Sequence, residues 1–115
     1  MADAFENWTV QARKGVLELS ILNALEAEER YGYELVKSLV ARPALGIAEG
    51  TIYPLLSRLR AQGLVQTRLV ESAEGPARKY YGLTPQGRRQ AALMNEYFEE
   101  LVRGVRALRR RTRSS

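Results

Sequence analysis

Between residues 48 and 64 the apolar side chains Ile52, Leu55, Leu56 and Leu59 follow the i, i+3, i+4, i+7 spacing of a helix with one buried stripe. Thr51, Tyr53, Ser57, Arg58 and Arg60 occupy the opposite face, which offers hydrogen-bond donors and no negative charge. Such a face suits the floor of a DNA major groove, with phosphates on either side and base edges below. Gln62-Gly63 supplies the stop. Pro54 lies inside the pattern and cannot donate to the Gly50 carbonyl, so the helix is expected either to start near Thr51 or to begin with a kink.

Upstream, Val16, Leu17, Leu19, Ile21, Leu22 and Leu25 predict a first helix over residues 13–26, too apolar for one narrow stripe and so buried on two sides. Arg13 and Lys14 fall in its expected first turn, where the helix dipole disfavours cations and a nearby phosphate would relieve the strain. Residues 26–30 read as a charged connector, and residues 33–40 as a second helix burying Leu35, Val36 and Leu39. Arg42-Pro43 ends it. Two short helices joined by a short turn, the second with a polar outward face, make a helix-turn-helix. Residues 1–10 hold Phe5 and Trp8 without a clear period and are expected to dock on something apolar.

Downstream, Val65–Val70 alternates apolar and polar residues, and Arg78–Leu83 is rich in Tyr and Lys. With the turn-rich residues 71–77 between them, they predict a β-hairpin that follows the third helix as a wing. Arg78 and Lys79 stand at its tip, suited to a minor groove or its phosphates, or to keeping an edge strand soluble. Glu71 and Glu74 across the loop temper that charge. Thr84-Pro85 starts a last helix that should run to about residue 110. Along it Ala91, Met94, Phe98, Leu101, Val105 and Leu108 recur at spacings 3, 4, 3, 4, 3, the seam of a helix that packs along another long helix, and Tyr97 and Val102 widen the stripe. A second copy of the chain is the expected partner, the alternative being a seam against the first helix. The fold class is mainly α with a small β-hairpin. Its expected organisation is an N-terminal segment (1–10), a winged helix-turn-helix domain (11–83), a C-terminal dimerisation helix (84–110) and a basic tail (111–115).

Composition narrows the chemistry. At 115 residues the chain is sized for one domain. A net charge of +5 and a pI near 9.9 favour a polyanionic partner. With no Cys and no His, disulfides, thiolate metal sites and the commonest general base are excluded, and neither a metal nor a cofactor is expected. Glu28 and Glu29 are adjacent and cannot share one helix face as a catalytic pair, so no enzyme is expected. No apolar run approaches a membrane span and no signal-peptide core is present, so the chain reads as cytoplasmic.

The stretches R-K-G-V-L-E-L-S-I-L from Arg13, Y-G-Y-E-L from Tyr31, G-T-I-Y-P-L-L-S-R-L from Gly50 and G-P-A-R-K-Y-Y-G-L-T-P-Q-G-R from Gly75 resemble, in the same order, the PadR family of bacterial transcriptional regulators. The resemblance covers roughly residues 13–89, and the last helix matches in position and length only, which points to the compact subfamily with one C-terminal helix. It implies a winged helix-turn-helix homodimer, usually a repressor released from its operator by a small molecule. It also implies a DNA face holding Lys14, Tyr33, Thr51, Tyr53 and Arg58, with Arg78 and Lys79 in the wing.

Two departures matter. Ala48 stands where the family often has an N-cap residue. The last helix lacks the tryptophan that stacks on planar drugs in some members and offers Tyr97 and Phe98, the one Trp being Trp8. A palindromic double-stranded operator is expected, with half-sites about one helical turn, roughly 10 bp, or a multiple apart. A small planar or aromatic effector would sit where the last helices meet the N-terminal segment, against Trp8, Met94, Tyr97 and Phe98. A competing expectation is a protein-interaction module whose charge is incidental.

Overall fold

The computed structural model describes residues 3–111. The N-terminal segment is helical: α1 spans Ala4–Lys14. Asp3 caps it reciprocally with Glu6, the Glu6 N–H donating to Asp3 Oδ1 at 2.7 Å and the Asp3 N–H to Glu6 Oε1 at 3.2 Å. No residue of α1 is buried. The expected single helix over residues 13–26 is therefore two, because the chain turns at Gly15-Val16 before α2, Leu17–Ala24. Arg13 and Lys14 lie in the last turn of α1, where the dipole favours cations, so the unfavourable first-turn placement does not occur. The expected boundary between residues 10 and 11 falls inside α1.

The connector contains a short strand, β1, Arg30–Tyr31, and α3 follows at Gly32–Val40. A single 3-10 turn, Pro43–Leu45, and Gly46 at φ 58° lead toward α4, Glu49–Ala61. The helix thus begins before Thr51, and Pro54 sits in its second turn, leaving the Gly50 carbonyl without its helical donor. At its end the Leu64 N–H donates to the Leu59 carbonyl and the Gly63 N–H to Arg60, with Gly63 at φ 79°. That pair of bonds is the Schellman stop that a left-handed glycine permits.

Strands β2, Val65–Val70, and β3, Arg78–Leu83, form the hairpin, and the sheet runs β1-β3-β2, all antiparallel. Thr67 pairs with Tyr81, and Tyr31 pairs with Tyr80. The core lies between α2, α3, α4 and this sheet, with Ile21, Leu22, Leu25, Leu35, Ile52, Leu56, Leu59 and Val65 fully buried. Each such side chain contributes about 1.5–3 kcal/mol relative to exposure.

The last helix, α5, spans Pro85–Arg111, so Arg111 belongs to it and the rest of the expected tail lies outside the described residues. Thr84 fixes its start. Its hydroxyl donates to the Gly63 carbonyl at 2.6 Å and accepts from the Gly87 N–H at 2.9 Å, while its own N–H donates to the Leu64 carbonyl. A Cβ on Gly87 would collide with that same Leu64 carbonyl. Further along, the side-chain amides of Asn23 and Asn95 bond each other reciprocally at 2.9 and 2.8 Å, and Arg88 donates to the Glu26 carbonyl, holding α5 on α2. Ala91 is 1% exposed within the chain's own core, so it cannot be part of a seam toward a second copy. The alternative, intramolecular packing of this seam, is realised at Ala91 and the half-buried Met94. Among the described residues no helix is long and apolar enough to cross a membrane.

Candidate nucleic-acid interface

The outward direction of α4 follows from its wheel. With about 100° per residue, the buried Ile52, Leu55, Leu56 and Leu59 leave Gly50, Pro54, Ser57 and Ala61 facing furthest from the core. All four are small, and the space around a Cβ on Gly50 is open. A polyanion can therefore approach the α4 backbone closely. Thr51 and Arg58 flank the stripe on the side of α1 and α2, and Tyr53 and Arg60 flank it on the side of β3.

On the first side, Arg13, Lys14, Thr51, Gly46 and Ala48 line a hollow of about 210 Å³. Ala48 gives α4 no side-chain cap, as the departure at this position implies, and the Thr51 hydroxyl donates to the Ala48 carbonyl at 2.8 Å. The Thr51 N–H also donates to the Ala48 carbonyl at 3.1 Å, and no side chain caps the helix start, with Lys14 beside it and Glu49 as the one nearby counter-charge on α4. Arg13 closes the hollow by donating from Nε to the Ala44 carbonyl at 3.3 Å.

On the second side, Tyr33, Tyr53 and Lys79 line a hollow of about 440 Å³ with Tyr31, Gly32 and Tyr81. Three elements meet there because Gly32 has no side chain. A Cβ on it would stand 3.1 Å from the Tyr81 ring and 3.4 Å from the Tyr53 hydroxyl. The Lys37 ammonium sits 5.3 Å from the Tyr33 ring centre and adds positive charge to the rim. Burial, and then the neighbouring Tyr53, push the Tyr81 hydroxyl above its ordinary pKa, with Arg60 acting in the other direction. Tyr81 thus stays a neutral hydroxyl, and Arg60 faces this cluster.

The structure separates two residue pairs that the sequence places together. Arg58 donates to Glu18 Oε1 on α2 at 2.6 Å, so its guanidinium is held away from the Tyr53 side. Arg60 takes the position beside Tyr53 that Arg58 was expected to share. In the wing, Arg78 and Lys79 are consecutive strand residues and project to opposite faces. Lys79 shares the face of Tyr81, whereas Arg78 stacks its guanidinium 4.9 Å from the Tyr31 ring centre on the outer face. That face continues through Tyr80, 5.8 Å from Tyr31, to Arg68, which pairs with Glu29. The Arg68 hydrogen bond holds the Glu29 carboxyl below its ordinary pKa. Lys37 was absent from the residues read in the sequence, Arg13 and Arg60 were named there only by their helices, and only the fold shows which cations share a face.

A separate, apolar groove of about 750 Å³ runs between α1 and α5. Trp8, Met94, Tyr97 and Phe98 all line it, as do Leu101 and Val105. Trp8 stacks on Phe5 with ring centres 6.3 Å apart, and both rings remain largely exposed. The docking expected for the N-terminal segment thus amounts to one open wall of this groove.

Among known proteins, a family model described as the transcriptional regulator PadR-like family matches residues 21–93. A transcriptional regulator of Mycobacterium tuberculosis is 35% identical over 95 residues, spanning 81% of this chain and 85% of that protein. The crystal structure of a PadR-like transcriptional regulator from Bacillus cereus is similar at 39% identity and a TM-score of 0.75, covering 85% of this chain and 95% of that one. A PadR family regulator from Eggerthella lenta is similar at 34% identity and a TM-score of 0.77, covering 90% of each chain. The chain, a winged helix-turn-helix with a single long C-terminal helix that is matched over most of its length by these regulators, belongs to the PadR-like family of transcriptional regulators.

Proposed function

We propose that the chain is a DNA-binding repressor that acts as a homodimer on a palindromic operator and is released by a small planar or aromatic effector. The observation that carries the DNA reading is the stripe of small residues on α4, flanked by the Lys14–Thr51 hollow and by the Tyr33–Tyr53–Lys79 hollow. Phosphates of the two strands bordering a groove would meet these hollows, while Ser57 and the α4 backbone approach the base edges. The homodimer reading rests on α5. Leu93, Tyr97, Phe98, Leu101, Val105 and Leu108 are exposed along one helix, Leu108 by 74%, and an apolar face of that length needs a cover. The effector reading rests on the α1–α5 groove, where three aromatic rings line an apolar space.

Binding to a mixed duplex pool at two salt concentrations, followed by selection of the tightest sequences, tests the DNA reading. A palindrome should be enriched, with log affinity falling against log salt at about −0.9 per phosphate contact. Absence of duplex binding at low salt overturns it. The exposed face of α5 also serves the second reading, a protein-interaction module. In that case Arg60→Ala and Lys79→Ala leave function intact, and changes at Phe98 or Leu101 abolish it.

A further inference from the structure

A fourth hollow, of about 390 Å³, opens between α2, β1 and the end of α3. Arg30, Arg42, Ser20, Ser38 and Asn23 line it with Leu45, and no carboxylate is among its lining residues. It shares no residue with the α1–α5 groove or the Tyr33–Tyr53–Lys79 hollow, and it shares Leu45 alone with the Lys14–Thr51 hollow.

The two arginines are prepared for an anion in different ways. Arg30 donates from Nε to the Ala24 carbonyl at 2.7 Å, which fixes the guanidinium plane and leaves its Nη groups without a partner among the described residues. The Arg42 guanidinium, just past the end of α3, has no hydrogen bond, ion pair or ring contact among the described residues, its backbone alone bonding to Leu39 and Leu45. Two guanidinium groups around one hollow without a counter-charge repel each other, and a fork-shaped donor set matches an oxyanion in two-bond geometry. Ser20 and Ser38 spend their hydroxyl protons on the Val16 and Leu35 carbonyls, each at 2.8 Å, so their oxygens are left as acceptors. That pattern, donors at the arginines and acceptors at the serines, fits an oxyanion that also carries a hydroxyl.

We infer that this hollow is a binding site for a small hydroxylated oxyanion, a hydroxy-carboxylate or a phosphate, gripped by Arg30 and Arg42. Its place in the fold gives it leverage on the reading helix. Arg42 immediately precedes the Pro43–Leu45 turn that leads through Gly46 to α4, and Leu45 is a wall of both this hollow and the Lys14–Thr51 hollow. An anion drawing Arg42 toward Arg30 shifts that shared wall, so its binding and DNA binding are coupled, and the coupling is reciprocal. This coupling rests on the DNA reading above, whereas the site itself does not.

Thermal unfolding of the full chain without DNA tests the site. Inorganic phosphate, lactate and sodium chloride are titrated separately at matched ionic strength. Stabilisation that saturates with phosphate or lactate and exceeds the chloride effect is expected. Arg42→Gln should abolish it while leaving the unliganded midpoint in place, because the Arg42 side chain is exposed and without a partner among the described residues. Lys14→Gln should retain it, which separates this site from the DNA-facing hollow. Response to phosphate alone assigns a phosphate ligand, and response to lactate alone assigns an organic acid. Responses equal to chloride, or undiminished in Arg42→Gln, overturn the proposal. With the operator in hand, saturation by the active anion should change DNA affinity about five-fold or more. Unchanged affinity overturns the coupling.

Discussion

Arg13 and Gly46 occupy one another's space: a Cβ built on Gly46 would stand 2.6 Å from Arg13 Nη1 and 2.7 Å from Cζ. The last turn of α1 is thereby seated on the backbone just ahead of α4. Gly46 is also at φ 58°, where side chains are strained. Gly46→Ala should therefore lose about 1–3 kcal/mol from the backbone alone, and little more from the collision, because the Arg13 guanidinium is the end of a flexible side chain and can swing aside. Denaturant unfolding of Gly46→Ala, Arg13→Ala and the double variant separates the two costs. The double variant should recover the collision part and retain the backbone part.

The arginines of α4 should differ. Arg58 is engaged by Glu18 across a partly exposed pair, whereas Arg60 borders the Tyr53–Tyr81 cluster. In salt-dependent operator binding, Arg60→Ala should weaken affinity more than Arg58→Ala. Lys14→Ala and Lys79→Ala should each weaken binding across sequences and lower the salt slope by about 1. Equal losses at Arg58 and Arg60 would contradict this ordering.

Gly104 lies in the interior of α5 with open space around it. In a solitary helix Gly104→Ala should stabilise by about 0.5–1 kcal/mol. In a homodimer whose second α5 crosses close to this point, the added methyl should instead lower the unfolding midpoint and weaken association. Unfolding midpoints of Gly104→Ala at several protein concentrations decide the sign, since a dimer's midpoint depends on concentration.

Two ionisable groups set opposite edges of the pH range. The Tyr81 hydroxyl has a raised pKa in the fold, so its contribution is complete below the ordinary tyrosine value and is lost as pH rises through the folded value. Glu29 has a lowered pKa because Arg68 bonds its charged form. Its contribution is present above the ordinary carboxylate value and is lost as pH falls through the folded value. Tyr81→Phe should flatten the alkaline fall in stability, and Glu29→Gln part of the acid fall, in unfolding curves collected across pH.

What the sequence displays best are the elements whose pattern coincides with burial. The stripe Ile52, Leu55, Leu56, Leu59 is buried in full, and Thr84-Pro85 starts α5 as a capping hydroxyl and a first-turn proline should. Residues 3–14 were harder to read because α1 buries nothing and its apolar face, Phe5, Trp8 and Ala12, is only two turns long. Asp3-Ala4-Phe5-Glu6 nevertheless spells its capping box. β1 has two residues, too few for alternation, and owes its strand geometry to pairing with β3. At the candidate site the residue types were legible but not their company. Arg58 meets Glu18 forty positions away, and a helix wheel alone cannot choose between Arg58 and Arg60. Strand alternation does separate Arg78 from Lys79, and it was available in the sequence.

The Thr84 hydroxyl, bonded both to the end of α4 and to the start of α5, converts two helices into a single lever. A helix of 27 residues is about 40 Å long, so its midpoint lies about 20 Å from that joint. If two copies pivot about the midpoints of paired α5 helices, a 10° change in their crossing angle shifts one α4 relative to the other by roughly 3.5 Å, about the rise of one base pair. Because Gly63, Thr84 and Gly87 hold the joint closely, the span between the two reading heads of such a dimer would be a direct readout of how its α5 pair is packed. A ligand in the α1–α5 groove that turns one helix slightly against the other would put the heads out of step with their half-sites by a whole letter of the operator.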